Sequence, residues 1–289
     1  MSESRQRWRL VFRRERDAMY LAHLDAIHSW ERALRRGAIP VAVTEGFNPR
    51  PKLAFAAPLQ LGMLAEHELA DLYLAARLTA PDLRERLAGC LPRGYVLSDL
   101  YDVWVGAAAV APQLVAADYR ATVVGVDERR LHDAVARLLA ADTLLRERRR
   151  ETKIIRYDLR PLVMRLSAGP ADPAARGGEG GEARPAAAIR MRLRHSQDGG
   201  TGRMEEVVSA LAEEMGLRFS WTGSDDGESQ DQGSPGLASA SDSAAASAAV
   251  GAGRSPTTSD LAPDQIDVFM PVRERLWLAG ELSESAETV

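Results

Sequence analysis

A low-complexity stretch near the carboxyl end limits which residues of this chain can form a folded core. Residues 223–266 contain 9 Ser, 9 Ala, 6 Gly and 3 Pro but almost no large apolar side chains, and residues 223–289 hold 12 Asp+Glu against 3 Lys+Arg. Such a segment cannot bury enough apolar surface to offset the conformational entropy lost on ordering. We therefore predict a disordered acidic linker at 223–266 and a folded body within residues 1–222.

A short apolar segment follows this linker, within residues 267–289. Its large apolar side chains are Val268, Phe269, Met270, Val272, Leu276, Trp277 and Leu278. The segment either returns as an edge strand of the folded body, which we favour, or serves as a peptide that docks on a partner.

Composition places the chain among ordinary globular proteins. It has 289 residues, of which 45% are hydrophobic and 27% charged, enough for about two domains. No apolar run approaches the ~20 residues of a membrane helix, and the polar start carries no secretory signal. We therefore expect a cytoplasmic protein that makes no contact with a membrane.

Familiar catalytic motifs are missing from the sequence. It contains no Walker lysine loop, no G-x-G-x-x-G after a strand, no H-E-x-x-H and no G-x-S-x-G. The single cysteine, Cys90, excludes an internal disulfide and any site that needs several cysteines of this chain. We interpret Cys90 as a small buried thiol and expect neither a metal nor a cofactor in this chain.

The pattern of residues 1–105 predicts a β-α-β-β-α-β order. At its start, apolar residues from Trp8 to Phe12 alternate with Arg7 and Arg9, as in a half-buried strand whose arginines face solvent. Two helical stretches and further strand-like runs complete the order. It is the order of a ferredoxin-like domain.

Residues 106–222 repeat the same order of elements, with a Gly- and Pro-rich surface loop at 169–185. The sequence therefore predicts an α+β protein with two tandem ferredoxin-like domains. In such domains the helices cover one face of the sheet, and the other face often binds a ligand.

Two histidines and a carboxylate lie near the start of the first helix, which is predicted to end with Gly37 in a left-handed conformation. At 100° per residue, Asp25 and His28 lie about 60° apart but His23 lies ~160° from Asp25. The three side chains cannot converge on one metal ion. The alternatives are a histidine that hydrogen-bonds to a loop and a polar pair, His23 with Asp25, that faces a substrate.

Residues 46–55 are the most unusual local sequence, with two cations, an aromatic ring beside them and two prolines close together. Alternate residues of an extended chain project the same way, so its two cations share a direction. We assign Phe47, Asn48, Arg50 and Lys52 to a site for a phosphate and an adjacent base, on a backbone stiffened by Gly46, Pro49 and Pro51. The alternative is a rigid connector with solvated charges and Phe47 in the core.

A third cluster is strongly basic. Its members are Arg146, Arg148, Arg149, Arg150, Lys153, Arg156 and Arg160. On a hairpin, Arg146, Arg148 and Arg150 would share one strand face. This cluster is a solvated sheet face, a surface for the RNA backbone, or a charged edge that prevents strand pairing.

Several blocks of the sequence, taken together, resemble the radical-SAM-linked family, a bacterial family with a domain of unknown function. The blocks are residues 21–25, 31–37, 46–56, Leu61, Gly62, Glu68, Asp71 and 158–162, the last of which begins with Asp158 and contains Pro161. The resemblance covers about residues 5–222. Two positions depart from the family pattern, because Ala22 and Ala65 stand where serines are usual.

The resemblance implies a partner more than an activity. Members occur fused to, or encoded beside, a radical SAM protein with a cobalamin-binding-type domain. That partner would carry the iron–sulfur cluster and SAM, whereas this chain has too few cysteines for the radical chemistry.

Three functions are compatible with these observations. The leading hypothesis is an accessory protein that presents RNA or another anionic substrate to the radical SAM enzyme. Its binding residues would be Phe47, Asn48, Arg50, Lys52, Arg35, Arg36 and Arg160. The second hypothesis is a stand-alone RNA-binding or RNA-modifying protein in which His23 and Asp25 act as the general base. The third is a protein-interaction scaffold that docks through residues 268–278.

Overall fold

The computed structural model describes residues 4–150, 153–171, 184–196, 200–220 and 264–284. The predicted linker up to residue 263, residues 172–183 of the predicted loop, and residues 285–289 lie outside this part of the chain. The strands are β1 (Gln6–Arg14), β2 (Leu53–Phe55), β3 (Leu64–Leu74), β4 (Tyr95–Val103), β5 (Leu114–Val124), β6 (Leu145–Arg150), β7 (Lys153–Asp158), β8 (Val163–Pro170), β9 (Ala186–Ser196), β10 (Gly200–Thr201), β11 (Arg218–Ser220) and β12 (Gln265–Leu278). The helices are α1 (His23–Arg36), α2 (Ala80–Ala88), α3 (Glu128–Ala140), α4 (Met204–Glu214) and α5 (Ala279–Glu284).

The protein is of the α+β class, as predicted, and most of its elements are strands. Ten strands form one sheet, and β6 and β7 form a separate two-stranded hairpin. None of the helices in the described ranges has the length and apolar character needed to cross a membrane.

The first half builds its sheet in the order β4-β1-β3-β2, with every neighbouring pair antiparallel. Helix α1 connects β1 to β2, and α2 connects β3 to β4. Trp8, Leu10 and Phe12 of β1 pack with Trp30 and Leu34 of α1 in a buried cluster. The apolar alternation of β1 therefore faces the helices, as the sequence indicates.

The second half uses the order β12-β5-β9-β8, again with antiparallel neighbours. The segment after the linker thus lies inside the sheet and not at its edge, because β12 pairs with β5 on one side and with β3 and β11 on the other. Ile266 and Leu276 of β12 are fully buried. The segment therefore returns to the folded body as a strand, as predicted, but its expected place at an edge and the docking-peptide alternative are wrong.

Residues from both halves share one hydrophobic core. Val11 and Leu69 of the first half belong to the same buried cluster as Val123, Leu193 and Leu276. Burial therefore continues across the predicted boundary between residues 105 and 106.

Arg7 and Arg9 of β1 are buried, which corrects the prediction that these two arginines face solvent, whereas Arg13 of the same strand is exposed. Arg7 is 1% exposed and Arg9 is 4% exposed. Arg9 donates two hydrogen bonds to Asp71 at 2.8 and 3.1 Å, and Arg7 donates to the carbonyls of Ala107 and Ala108 at 2.8 and 3.0 Å. Burial of these charges is tolerated because a carboxylate and carbonyl oxygens from distant residues satisfy them.

Helix α1 ends one residue later than predicted. Gly37 has a φ of −73°, and Ala38 takes the left-handed conformation with a φ of 47°. A Cβ on Gly37 would lie 2.7 Å from Sγ of Cys90. Gly37 is therefore required for close packing against Cys90, which is buried as predicted.

Helix α1 begins without a side-chain cap. Ala22 occupies the N-cap with extended backbone and accepts no hydrogen bond, whereas Thr79 caps α2 by accepting from the N–H of Asp82. We expect Ala22→Ser to raise the free energy of unfolding by about 1 kcal/mol, because its hydroxyl can accept a free helix N–H. Urea denaturation measures the change, with Thr79→Ala as the control that loses a similar amount. An unchanged Ala22→Ser variant would contradict the assigned N-cap.

Candidate nucleic-acid interface

Strand β9 separates apolar and basic side chains onto opposite faces of the sheet. Ile189, Met191 and Leu193 are buried, whereas Arg190 and Arg194 are exposed. Directly opposed residues in an antiparallel pair share a face. By this register the second half presents an arginine face, made of Arg120, Arg165, Arg190, Arg192 and Arg194.

Two members of the arginine face are neutralised by carboxylates. Arg192 donates to Asp118 at 2.7 and 2.8 Å, and this hydrogen bond raises the pKa of Arg192. Arg120 pairs with Glu274 at 2.7 Å and also with Glu66. These pairs hold the two guanidinium groups in place.

The other three members carry uncompensated charge. Arg165, Arg190 and Arg194 are exposed. None of them forms an ion pair with a carboxylate in the described ranges. The face therefore offers three guanidinium groups to an anionic ligand.

An aromatic ring lies among these arginines. The guanidinium carbons of Arg192 and Arg275 lie 4.4 and 4.2 Å from the ring centroid of Trp277. The register places Trp277 opposite Ala116, which in turn lies opposite Arg194. Stacked aromatic and guanidinium planes beside free cations are typical of surfaces that bind single-stranded nucleic acids.

The loop singled out from the sequence forms a stiff hairpin tip in the first half. The N–H of Thr44 donates to the carbonyl of Arg50 at 2.8 Å, and the N–H of Arg50 donates to Oγ1 of Thr44 at 3.0 Å. Phe47 is fully exposed, so its alternative place in the core is wrong. Arg50 is exposed, whereas the Nζ of the half-buried Lys52 lies 6.0 Å from the ring centroid of Tyr73.

The glycine, asparagine and prolines of this segment lie at or beside the hairpin tip. Gly46 has a φ of 129°, which a residue with a Cβ rarely adopts. Asn48 and Pro49 are exposed at the tip, and Pro51 forms a bridge with Val43. The tip therefore presents an aromatic ring and a cation on a backbone held by hydrogen bonds between the two arms of the hairpin.

The remaining predicted binding arginines are placed elsewhere. Arg36 donates to the carbonyl of Cys90 at 3.1 Å, and Arg35 is exposed in the last turn of α1. Arg160 donates to the carbonyls of Leu139 and Val163 at 3.1 and 3.3 Å. Arg36 and Arg160 thus tie backbone segments together.

The block that contains Asp158 holds the base of the β6–β7 hairpin. The Asp158 carboxylate accepts from the N–H groups of Leu144 and Arg160 at 2.7 and 3.0 Å, and Pro161 lies in a 3₁₀ turn over Arg160–Leu162. This block therefore shapes a turn.

The basic hairpin is partly neutralised by acidic partners. Arg146 donates to Glu213 of α4 at 2.6 and 2.7 Å, and Arg156 donates to Glu147 at 2.7 Å. The side chains of residues 149–153 lie outside the described part. The hairpin is a weaker candidate for an RNA surface than the arginine face.

His23 and Asp25 are not paired with each other. His23 packs edge-on against Phe55 with ring centroids 5.9 Å apart, and Asp25 is exposed. Burial, Arg273 and Arg14 lower the pKa of His23. In the described ranges, no three His, Cys, Asp or Glu side chains lie close enough to hold a metal ion.

A second histidine, His195 of β9, is expected to make the folded protein less stable in acid. Burial, and after it the charge of Arg273, lowers its pKa from 6.5 to about 4. Between these two pH values, His195 binds a proton in the unfolded chain but remains neutral in the folded chain. His195 therefore does not reduce the free energy of unfolding above pH 6.5. On acidification to pH 4 its protonation in the unfolded chain lowers that free energy by about 3 kcal/mol.

Urea denaturation at pH 7.5 and 4.5 measures this loss, which we expect to be smaller in the His195→Asn variant. The variant keeps part of the pH dependence, because the pKa values of His23 and His67 are also lowered. Equal losses in the variant and the unmodified protein would contradict the assignment to His195.

Comparison with known protein families adds one match. The model of a family described as an uncharacterized protein conserved in bacteria (DUF2344) matches residues 7–201. No curated protein matches the chain. The matched region contains the hairpin tip and the arginine face, and β12 lies beyond it. Because the match covers more than half of the sequence, the chain belongs to the bacterial family DUF2344.

Proposed function

We propose that this chain is an accessory protein that binds single-stranded RNA or a similar anionic polymer on the arginine face and presents it to a separately encoded radical SAM enzyme. The observation that carries the binding proposal is the exposure of Arg165, Arg190 and Arg194, none of which pairs with a carboxylate in the part of the chain that the structure describes. Arginine suits this role because its planar fork matches phosphate oxygens.

The spacing of these cations favours a polymer over a small anion. Arg190 and Arg194 are four residues apart in a strand, which corresponds to about 13 Å. Side chains that extend straight out from these positions would each contact a different phosphate of a nucleic acid, whereas a single phosphate would require both side chains to bend toward each other. The guanidinium groups stacked on Trp277 offer planes on which bases can stack.

The hairpin tip supplies a second contact in this proposal. Its exposed Phe47 would stack on a base, with Asn48 and Arg50 beside it. Lys52 would contribute charge from its position over Tyr73.

The proposed partner follows from the family resemblance. It would be a cytoplasmic radical SAM protein with a cobalamin-binding-type domain, and it would carry the iron–sulfur cluster and SAM. This chain would bind the substrate and leave the radical chemistry to the partner, since it has only one cysteine and that cysteine is buried.

We also propose that both halves are ferredoxin-like units. The orders β4-β1-β3-β2 and β12-β5-β9-β8 support this assignment. In each order the first and third strands of the unit lie at the centre, the second and fourth lie outside them, and all neighbours are antiparallel. In the second unit, β12 would be the closing strand, although the order predicted for residues 106–222 places all strands of that unit before the linker.

The affinity for a short single-stranded RNA tests the binding proposal. We expect the triple variant Arg165→Ala/Arg190→Ala/Arg194→Ala to bind roughly tenfold or more weakly. The matched control replaces three exposed, ion-paired arginines outside the face, Arg84, Arg93 and Arg137. Equal affinities of the two variants would remove the arginine face from the site.

The partner proposal has a separate test. Tagged protein is recovered from its host under anaerobic, low-salt conditions, and the eluate is examined by mass spectrometry. Recovery of a cysteine-rich radical SAM protein supports the accessory role. Recovery of RNA without such a protein would instead favour a stand-alone RNA-binding protein.

A further inference from the structure

A second aromatic ring, that of Phe269 in β12, lies on the same face of the sheet as the arginines. Phe269 is 40% exposed, and the register places it opposite Thr122 of β5, which in turn lies opposite Ala188 of β9. Directly opposed residues share a face, and Ala188 lies on the face of Arg190 because alternate residues of a strand point the same way. Phe269 therefore lies at one end of the arginine face, and Trp277 lies at the other.

Two register shifts in β12 keep both rings on this face and turn Arg273 inward. By simple alternation, Phe269, Arg273 and Trp277 would all point the same way. However, β12 gains one residue over β5 between Phe269 and Val272, and a second one between Arg273 and Arg275. Arg273 consequently points to the buried face, where it is 2% exposed, whereas Phe269 and Trp277 remain on the outer face.

The first of these shifts contains a strained residue. Met270 has a φ of 52°, a left-handed conformation that a residue with a Cβ rarely adopts. The next residue, Pro271, has no N–H to donate to a neighbouring strand. Bulges of this kind redirect a side chain and occur beside binding sites. The chain keeps this unfavourable conformation at the point where the ring of Phe269 is directed outward.

The distance between the two ends suits a short single strand. From Ala116, opposite Trp277, to Thr122, opposite Phe269, β5 advances by six residues, or about 20 Å. A stacked strand that advances ~3.4 Å per nucleotide covers this distance in about seven nucleotides, and a more extended strand covers it in fewer. A Cβ on Gly169, in the row of Phe269, would meet no described atom within 4 Å, so the surface in this row is open.

We propose that Phe269 is a second platform for base stacking, so that single-stranded RNA lies along β5 and β9 from the Trp277 end to the Phe269 end. This inference rests on the proposed function of the arginine face. Arg190 and Arg194, which lie between the two ends, would hold phosphates of the same strand. An apolar ring stacks on any base, so the platform favours single strands without selecting a sequence.

The length of the RNA tests this inference, because only a longer strand reaches both ends. We measure the affinities of the full chain for octauridylate and triuridylate by fluorescence anisotropy. Phe269→Leu is expected to weaken octauridylate binding roughly tenfold and triuridylate binding much less. Phe269→Tyr keeps a ring and is expected to keep the affinity. The matched control is Trp104→Leu, which removes an exposed aromatic ring outside the arginine face.

The outcomes separate this inference from the proposed function. Equal octauridylate affinities of Phe269→Leu and the unmodified protein would overturn the second platform and leave the arginine face in place. An equal loss for both lengths would overturn the span between the two ends. An unmodified protein that does not bind octauridylate would instead refute the proposed function, and this inference with it.

A blunt-ended RNA duplex of mixed sequence gives a second measurement. Its phosphates are available to the arginines, but its bases are already stacked on each other. We expect Phe269→Leu to bind this duplex as the unmodified protein does. A tenfold loss with the duplex would show that the ring supports the fold of the face and contacts no base, which would overturn the proposal.

Discussion

A chain that ends at residue 222 is expected not to fold. The truncation removes β12, whose buried side chains include Ile266, Val268, Val272 and Leu276. Each such side chain contributes about 1.5–3 kcal/mol through burial, so their sum approaches the 5–15 kcal/mol that stabilises a typical domain. The truncation also exposes the edges of β5 and β3 and leaves Glu68 buried without Arg273.

Circular dichroism and the dispersion of amide NMR signals measure this effect. The matched control is an internal deletion of residues 225–250, which shortens the low-complexity stretch but keeps β12 in the chain. We expect the control to fold and the truncated chain to regain structure when a peptide of residues 264–284 is added. A truncated chain with native signals would contradict the central place of β12.

Arg273→Leu is expected to lower the free energy of unfolding by about 3–5 kcal/mol, because it leaves the Glu68 carboxylate buried and unpaired. Glu68 is 4% exposed, and its hydrogen bonds to Arg273 join the two halves. The double variant Arg273→Leu/Glu68→Leu is expected to recover much of the loss, since it removes both charges.

Urea denaturation at pH 7 measures these differences. Arg218→Ala serves as the control, because its pair with Asp264 is exposed and water screens it, so its loss is expected to have little effect on stability. A loss below about 1 kcal/mol in Arg273→Leu would mean that water reaches the pair and screens it.

The order of elements is predictable from the sequence because each signal is local. The alternation around Trp8 and Phe12 and the cap at Thr79 depend on neighbouring residues only. The place of β12 is not local. Its pairing with β5 and β3 joins residues separated by the long low-complexity stretch, and its apolar side chains suit an edge strand and a central strand equally.

The buried charges could not be predicted for the same reason. Arg7 and Arg9 look solvated in sequence because Asp71 and the carbonyl of Ala107 come from other segments. The sequence predicts the left-handed conformation at Gly37, but the structure has it at Ala38. Gly37 packs closely against Cys90, and this contact between distant residues is not apparent from the sequence.

The candidate site was visible in part. The hairpin tip around Phe47 was found from its unusual residues, and the structure exposes that ring. Arginines at 190, 192 and 194 alternate with apolar residues in a pattern typical of a strand, but the arginine face also needs Arg120 and Arg165 from neighbouring strands. Cross-strand register, which brings these five residues to one face, is not encoded in any single segment.

The salt dependence of RNA binding tests the claim for the arginine face most directly. The measurement is the slope of the logarithm of the association constant against the logarithm of salt concentration, for a short single-stranded RNA. Each phosphate contact contributes about 0.7 to this slope, so loss of three arginines is expected to reduce it by about 2. An unchanged slope in the Arg165→Ala/Arg190→Ala/Arg194→Ala variant would show that RNA binds elsewhere.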